Sequence, residues 1–328
     1  MRKLMASKSH GRRSVQVSAL ALVVAVVATS APNAVAATPA RPLTWTAQPP
    51  IPTARGGLAG AVLGGNIYVL GGLTSGLAST LNRAEAYDAQ TKHWSTLAPM
   101  PTSAGFLAAA SLDGRIYAIG GQDNAGDNLA TVESYAPASG RWKTDAPLLA
   151  ATGDDAAVAG AAHIYALGGE DKTGNVVATL EIYDPKTNRW ALGRSMPTAR
   201  ELVGLAWSGN RLYAIGGLDN NSAPLGNVEA YDPATNTWQE RAPMPTPRSH
   251  PAVGTLNDGQ IIVAGGGPPD GTAAVELYTP SSNKWQELTA LPVATIPTGA
   301  VVGNKFYVIS GFVGGHFVTR SVWAAVVQ

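Results

Sequence analysis

One short phrase recurs six times along the chain and limits its fold more than any other feature. Ile67-Tyr68-Val69-Leu70-Gly71-Gly72 returns as IYAIGG at 116–121, IYALGG at 164–169, LYAIGG at 212–217, IIVAGG at 261–266 and FYVISG at 306–311, with starts 49, 48, 48, 49 and 45 residues apart. The first five copies are each followed by a tyrosine and, seven residues later, a tryptophan: Tyr87 and Trp94, Tyr135 and Trp142, Tyr183 and Trp190, Tyr231 and Trp238, Tyr278 and Trp285. A period of this length marks a repeat architecture, in which a unit unable to bury its own faces needs its neighbours. In the sixth copy the spacing puts Trp323 at the tyrosine position, and Trp45, ahead of the first copy, is left to supply the missing tryptophan.

Each unit reads as four short strands. A run of small apolar residues such as Leu58–Leu63 meets a Gly/Asn/Asp turn (Gly64-Gly65-Asn66, Asp113-Gly114, Gly303-Asn304), the chemistry of a tight hairpin, and the recurring phrase is the second strand. A polar loop of variable sequence follows the glycine doublet, then a strand ending at the tyrosine. A turn such as Asp184-Pro185-Lys186-Thr187-Asn188 then leads to the strand carrying the tryptophan. Helical periodicity is absent, so the unit is a propeller blade of about 48 residues. Residues repeated in every blade belong to the scaffold: the tryptophans, the glycine doublets, and the acid two before each tyrosine, Glu85, Glu133, Glu181, Glu229 and Glu276.

The first 36 residues have the form of an export leader. Arg2, Lys3, Lys8, Arg12 and Arg13 precede an apolar run from Val17 to Ala28, and Ala34-Val35-Ala36 offers a small-residue cleavage site after Ala36. The run is shorter than the roughly 20 residues a bilayer span needs, so the mature chain is expected to be secreted, or periplasmic, without a transmembrane segment. The leader holds five of the 23 Lys and Arg and none of the 22 Asp and Glu, leaving a mature net charge of about −4. Nucleic acid and anionic lipid are therefore not expected partners. With no cysteine, the chain has no thiol nucleophile, disulfide or cysteine-ligated metal. A linker over 37–42 and a single repeat domain over 43–328 complete the expected organisation.

The glycine doublet, with tyrosine and tryptophan at these spacings, resembles the kelch repeat, and the resemblance covers residues 43–328. It implies an all-β, six-bladed propeller of four-stranded antiparallel blades, closed by an N-terminal strand at 43–47 that completes the last blade and puts Trp45 in register with the other five tryptophans. Closure buries the blade faces that a lone sheet would expose.

Function is sought where the repeats differ. Kelch propellers commonly bind through the loop into each blade together with the loop after the glycine doublet. In this chain those loops carry Arg55, Arg200, Glu201, Arg248, His250, Asp154, Gln122, Glu170, Asp219 and Phe312. The resemblance makes Arg55, Arg200 and Arg248 the foremost contacts, since a guanidinium holds an acidic group by paired hydrogen bonds. The acids would receive a basic peptide or sugar hydroxyls, with an apolar sector near Ile296, Phe312 and Val313. The expected activity is non-catalytic recognition of a protein or cell-surface glycan, with no cofactor and no metal. The alternative is a carbohydrate isomerase, epimerase or lyase similar to sugar-acid mutarotases, using Arg200, Glu201 and His250. A metal pair of His250 and His316 lacks a defined carboxylate. The two readings differ in what they require: a deep closed cavity for chemistry, a shallow open ring for a macromolecule.

Overall fold

The computed structural model describes residues 41–77, 79–267, 271–314 and 317–327. The leader with its cleavage point and His316 lie outside the described residues.

Five blades each consist of four consecutive antiparallel strands, the first being Ala59–Leu63, Asn66–Leu70, Ala84–Asp88 and His93–Thr96. Blades 2 to 5 repeat this order from Ala108, Ala156, Gly204 and Ala252. No helix among the described residues is long and apolar enough to cross a membrane. The second strand of each blade is apolar on both faces because both are covered. Ile67 and Val69 pack toward Tyr307 and Ile309 of blade 6, while Tyr68 and Leu70 pack toward Ile116 and Tyr135 of blade 2. Strand alternation thus sends successive residues of the recurring phrase into different inter-blade cores.

The scaffold tryptophans join blades through one repeated hydrogen bond. Trp94, Trp142, Trp190, Trp238 and Trp285 donate from Nε1 to the carbonyls of Pro49, Ala98, Ala146, Arg194 and Ala242 at 2.7–2.9 Å, each about 44 residues earlier. Each of these indoles also packs on its own tyrosine with ring centroids 5.0–5.2 Å apart. In blades 3 to 5 a left-handed asparagine completes the joint. Asn188, Asn236 and Asn283 accept from the tyrosine hydroxyl and from a backbone N–H of the preceding linker.

Blade 6 is closed as the sequence predicts. Its strands Ile296–Val302, Lys305–Val313 and Val322–Val326 are joined by Thr46–Ala47, which pairs with Ala324 and Trp323. Trp45 donates from Nε1 to Thr289 O at 3.1 Å, the same joint as the other five. Pairing already begins at Arg41, whose N–H donates to Glu287 O.

The position of Trp323 is corrected by the register. Tyr87, Tyr135, Tyr183, Tyr231 and Tyr278 lie opposite the first residue of the recurring phrase, and in blade 6 Phe306 lies opposite Ala325. Trp323 lies opposite Val308 and so takes the place of the scaffold glutamate. With alanine at the tyrosine position, Phe306 fills the gap and meets Trp45 edge-on at 6.4 Å.

Candidate functional site

The two variable loops of each blade meet at one end of the propeller. Isolated bridges join Gly56 to Leu73, Gly105 to Gln122, Gly153 to Glu170 and Glu201 to Leu218, while Gly267 N–H donates to Ser249 O and Ile296 pairs with Phe312. At this rim the side chain of one blade lies over the next. A Cβ on Gly56 would touch the Phe312 ring at 2.5 Å, and one on Gly153 would lie 2.7 Å from Gln122 Nε2. Blade 4 has Glu201 where these blades have glycine, so there the overlap brings Glu170 beside a second carboxylate.

One residue inward, Gly57, Phe106, Asp154, Leu202 and His250 all have left-handed backbone, with φ between 47° and 57°. This conformation turns their peptides into a hydrogen-bonded rosette: Phe106 N–H to Gly57 O, Leu202 N–H to Asp154 O and His250 N–H to Leu202 O, at 2.6–2.9 Å. Four of the five are not glycine, at about 1–3 kcal/mol each, and such strain collects at working sites. Phe106 meets His250 at 6.2 Å and Phe312 at 6.1 Å, closing the apolar side. The cavity bounded by Phe106, Asp154, Asp155, Leu202 and His250 holds about 110 Å³.

The three arginines are not on the binding surface. Arg55, Arg200 and Arg248 are 0%, 0% and 1% exposed and pair with the scaffold acids Glu85, Glu229 and Glu276 at 2.7–2.8 Å. Carbonyls of the same blade accept from them as well, Val69 from Arg55, Gly216, Asn227 and Ala214 from Arg200, and Val263 from Arg248, while the Nε of each has no hydrogen-bond partner among the described residues. A long side chain from the incoming loop reaches inward because a buried glutamate awaits it. A catalytic set of Arg200, Glu201 and His250 therefore does not form, since the Arg200 guanidinium is occupied by Glu229. Phe312 is likewise buried, at 4% exposed. The Asp219 carboxylate builds its own loop by accepting from the N–H groups of Asn221 and Ala223, which also lower its pKa.

Gln122, Asp154, Glu170 and Glu201 do come together. Carboxylate oxygens of Asp154, Glu170 and Glu201 lie within 4.8 Å of one another, and Gln122 Nε2 donates to Asp154 Oδ2 at 3.4 Å. No ion pair reaches these acids among the described residues. Burial, then Glu201 and Glu170, push Asp154 up to about 8, and burial with Glu170 pushes Glu201 up to about 7. Such a group can share protons, or receive a guanidinium, an ammonium or a hard metal ion. Burial holds His250 down at about 4, so its imidazole is neutral at neutral pH.

Asp155 is another of the loop acids that the sequence offers to a basic peptide or sugar hydroxyls. It stands where blades 1, 2, 4 and 5 put Leu58, Leu107, Val203 and Pro251, is 8% exposed, and has no hydrogen-bond partner on either oxygen among the described residues. Burial and then Asp154 raise it well above the ordinary carboxylate range.

These shifts have a direction in stability. An acid whose pKa is higher in the folded than in the unfolded chain binds its proton more tightly when folded, so its contribution is complete at low pH and is lost as the pH climbs through the folded value. His250 has the opposite shift and acts only as the pH falls from 6.5 through about 4. Melting temperature is therefore expected to fall between about pH 6.5 and 8.5, and Asp154→Asn to flatten the slope in a thermal melt series. A slope unchanged in that variant would contradict the assignment.

The KLHDC2/KLHL20/DRC7 Kelch-repeats domain matches residues 108–311, and the Kelch motif matches residues 54–101. No curated protein matches the sequence. Among solved structures, that of YjhT superimposes with a TM-score of 0.72 at 19% identity, covering 84% of this chain and 95% of that one, a likeness of fold. With the repeat-domain match taking in more than half of its residues, this chain belongs to the kelch-repeat family of β-propellers.

Proposed function

We propose that this chain is an exported, non-catalytic recognition module whose rim binds a protein partner by receiving a basic side chain at Asp154, Glu170 and Glu201, with Phe106 beside it as an apolar contact. The shape of the rim carries this reading. The axial cavity of about 110 Å³ is well below the roughly 300–1,000 Å³ of small-molecule sites, whereas a shallow ring suits a protruding side chain. The charge pattern agrees with it. The three acids have no counter-ion among the described residues, Asp154 and Glu201 are held partly protonated, and an arriving guanidinium or ammonium would relieve both the repulsion and the proton uptake.

Binding is then linked to pH: the partner displaces protons, so affinity rises as the pH climbs through about 7 and 8. Capture from the native extracellular fraction, with a tri-arginine peptide as a defined probe, tests it. Asp154→Asn/Glu201→Gln is expected to weaken peptide binding roughly tenfold or more, as losing about 1.4 kcal/mol does, and to abolish its rise with pH. Equal binding by wild type and variant would refute the proposal.

A further inference from the structure

The opposite end of the propeller carries a second site, independent of the rim. Six of the eight tryptophans follow the repeat and Trp323 replaces a scaffold glutamate, which leaves Trp207 as the one with no counterpart in other blades. It lies on the first strand of blade 4, Gly204–Ser208, and stacks on Tyr165 of blade 3 with centroids 5.2 Å apart and planes at 18°. Gly160 permits this: a Cβ there would lie 2.9 Å from Trp207 Cη2 and Cζ3. Trp207 is partly exposed, and its Nε1 donates to no group among the described residues, unlike that of the six repeat tryptophans.

Two clefts adjoin at this place. One, about 580 Å³, lies between blades 3 and 4 and is lined by His163, Tyr165, Trp207, Arg211 and Asp232. The other, about 320 Å³, lies between blades 4 and 5 and is lined by Arg211, Arg241, Asp258, Gln260 and Thr279. Both volumes fall in the range of ligand sites, and Gly209 and Arg211, common to both, put the two clefts side by side at the hairpin end of blade 4. The polar groups of the two clefts are unequally satisfied. Arg211 Nη2 is held by Asp232 Oδ2 at 3.0 Å, Gln260 Nε2 donates to Thr279 Oγ1 at 2.9 Å, and Asp258 Oδ1 accepts from Gln260 N–H. Arg241 forms no ion pair among the described residues, and its Nε is buried without a hydrogen-bond partner.

We infer that these two clefts together bind an acidic oligosaccharide. A pyranose ring has an apolar C–H face and a hydroxyl edge, which fit the Trp207 indole and the Arg211–Asp232 pair, while a uronate carboxylate would pair with the Arg241 guanidinium, which lines the second cleft and forms no ion pair among the described residues. Length matters as well, because two adjoining clefts accommodate successive sugar units.

Calorimetric titration of the full chain with tetragalacturonate, and with maltotetraose as the neutral counterpart, tests the inference. Wild type is expected to bind tetragalacturonate at least tenfold more tightly than maltotetraose, and Arg241→Gln to remove that preference. Trp207→Ala is expected to weaken tetragalacturonate binding tenfold or more and Trp207→Phe less, with thermal melts confirming that each variant is folded. Asp154→Asn/Glu201→Gln is expected to bind both sugars as wild type does, which separates this site from the rim. No binding of tetragalacturonate, equal affinity for the two sugars, or an Arg241→Gln variant indistinguishable from wild type would each overturn the inference.

Discussion

Replacing Arg200 by alanine is expected to destabilise the protein by about 3–5 kcal/mol, the usual consequence of removing one partner of a buried ion pair. The cause is what remains: Glu229, at 3% exposed, loses its cation, and the carbonyls of Gly216 and Asn227 lose donors at 3.1 and 2.8 Å. Arg200→Met/Glu229→Leu is expected to recover much of the loss, because a well-packed apolar pair avoids the desolvation of two charges. Chemical denaturation of the two variants reads the difference directly. If Arg200→Ala unfolded at the wild-type midpoint, the guanidinium would not be the structural element described here. At the rim, by contrast, folded Arg200→Ala should still bind the tri-arginine probe, since its guanidinium lies inside the blade.

Deleting residues 41–47 is expected to have the larger effect. It removes the Trp45 indole with its bond to Thr289 O, the Leu43 N–H bond to Thr289 Oγ1, the Arg41 pairing with blade 5, and the outer strand of blade 6. Leu43 is buried and the Trp45 indole partly so, losing a core leucine costs about 2–5 kcal/mol, and the exposed edge of Val322–Val326 becomes a template for association. A loss exceeding about 5 kcal/mol, together with light scattering above that of wild type, is the expected outcome. Trp45→Ala alone should fall between the two. An unchanged denaturation midpoint after the deletion would refute closure of the ring by this segment.

Much of the architecture could be read from the repeats because the forces that build them are local and identical in each copy. Glycine at a doublet, asparagine at a left-handed turn and an indole seven residues after a tyrosine each answer a demand within a few residues, so spacing along the chain reports them. The rim was legible only as a list of positions. Asp154, Glu170, Glu201 and Gln122 were on that list, but so were Arg55, Arg200 and Arg248, whose direction depends on a glutamate 28–30 residues further on. Trp323 was misplaced because the fifth repeat reaches its tyrosine in 17 residues whereas blade 6 pairs as though the interval were 19.

By itself the sequence determined six four-stranded blades, the closing role of Trp45 and the end of the ring where blades differ, since periodic burial is written in residue type and interval. Only the tertiary structure decided which charges face solvent. Burial of a side chain is settled by partners from distant strands, and those partners turned three arginines inward, left three carboxylates together at the rim without a cation among the described residues, and opened a cleft beside Trp207 at the other end.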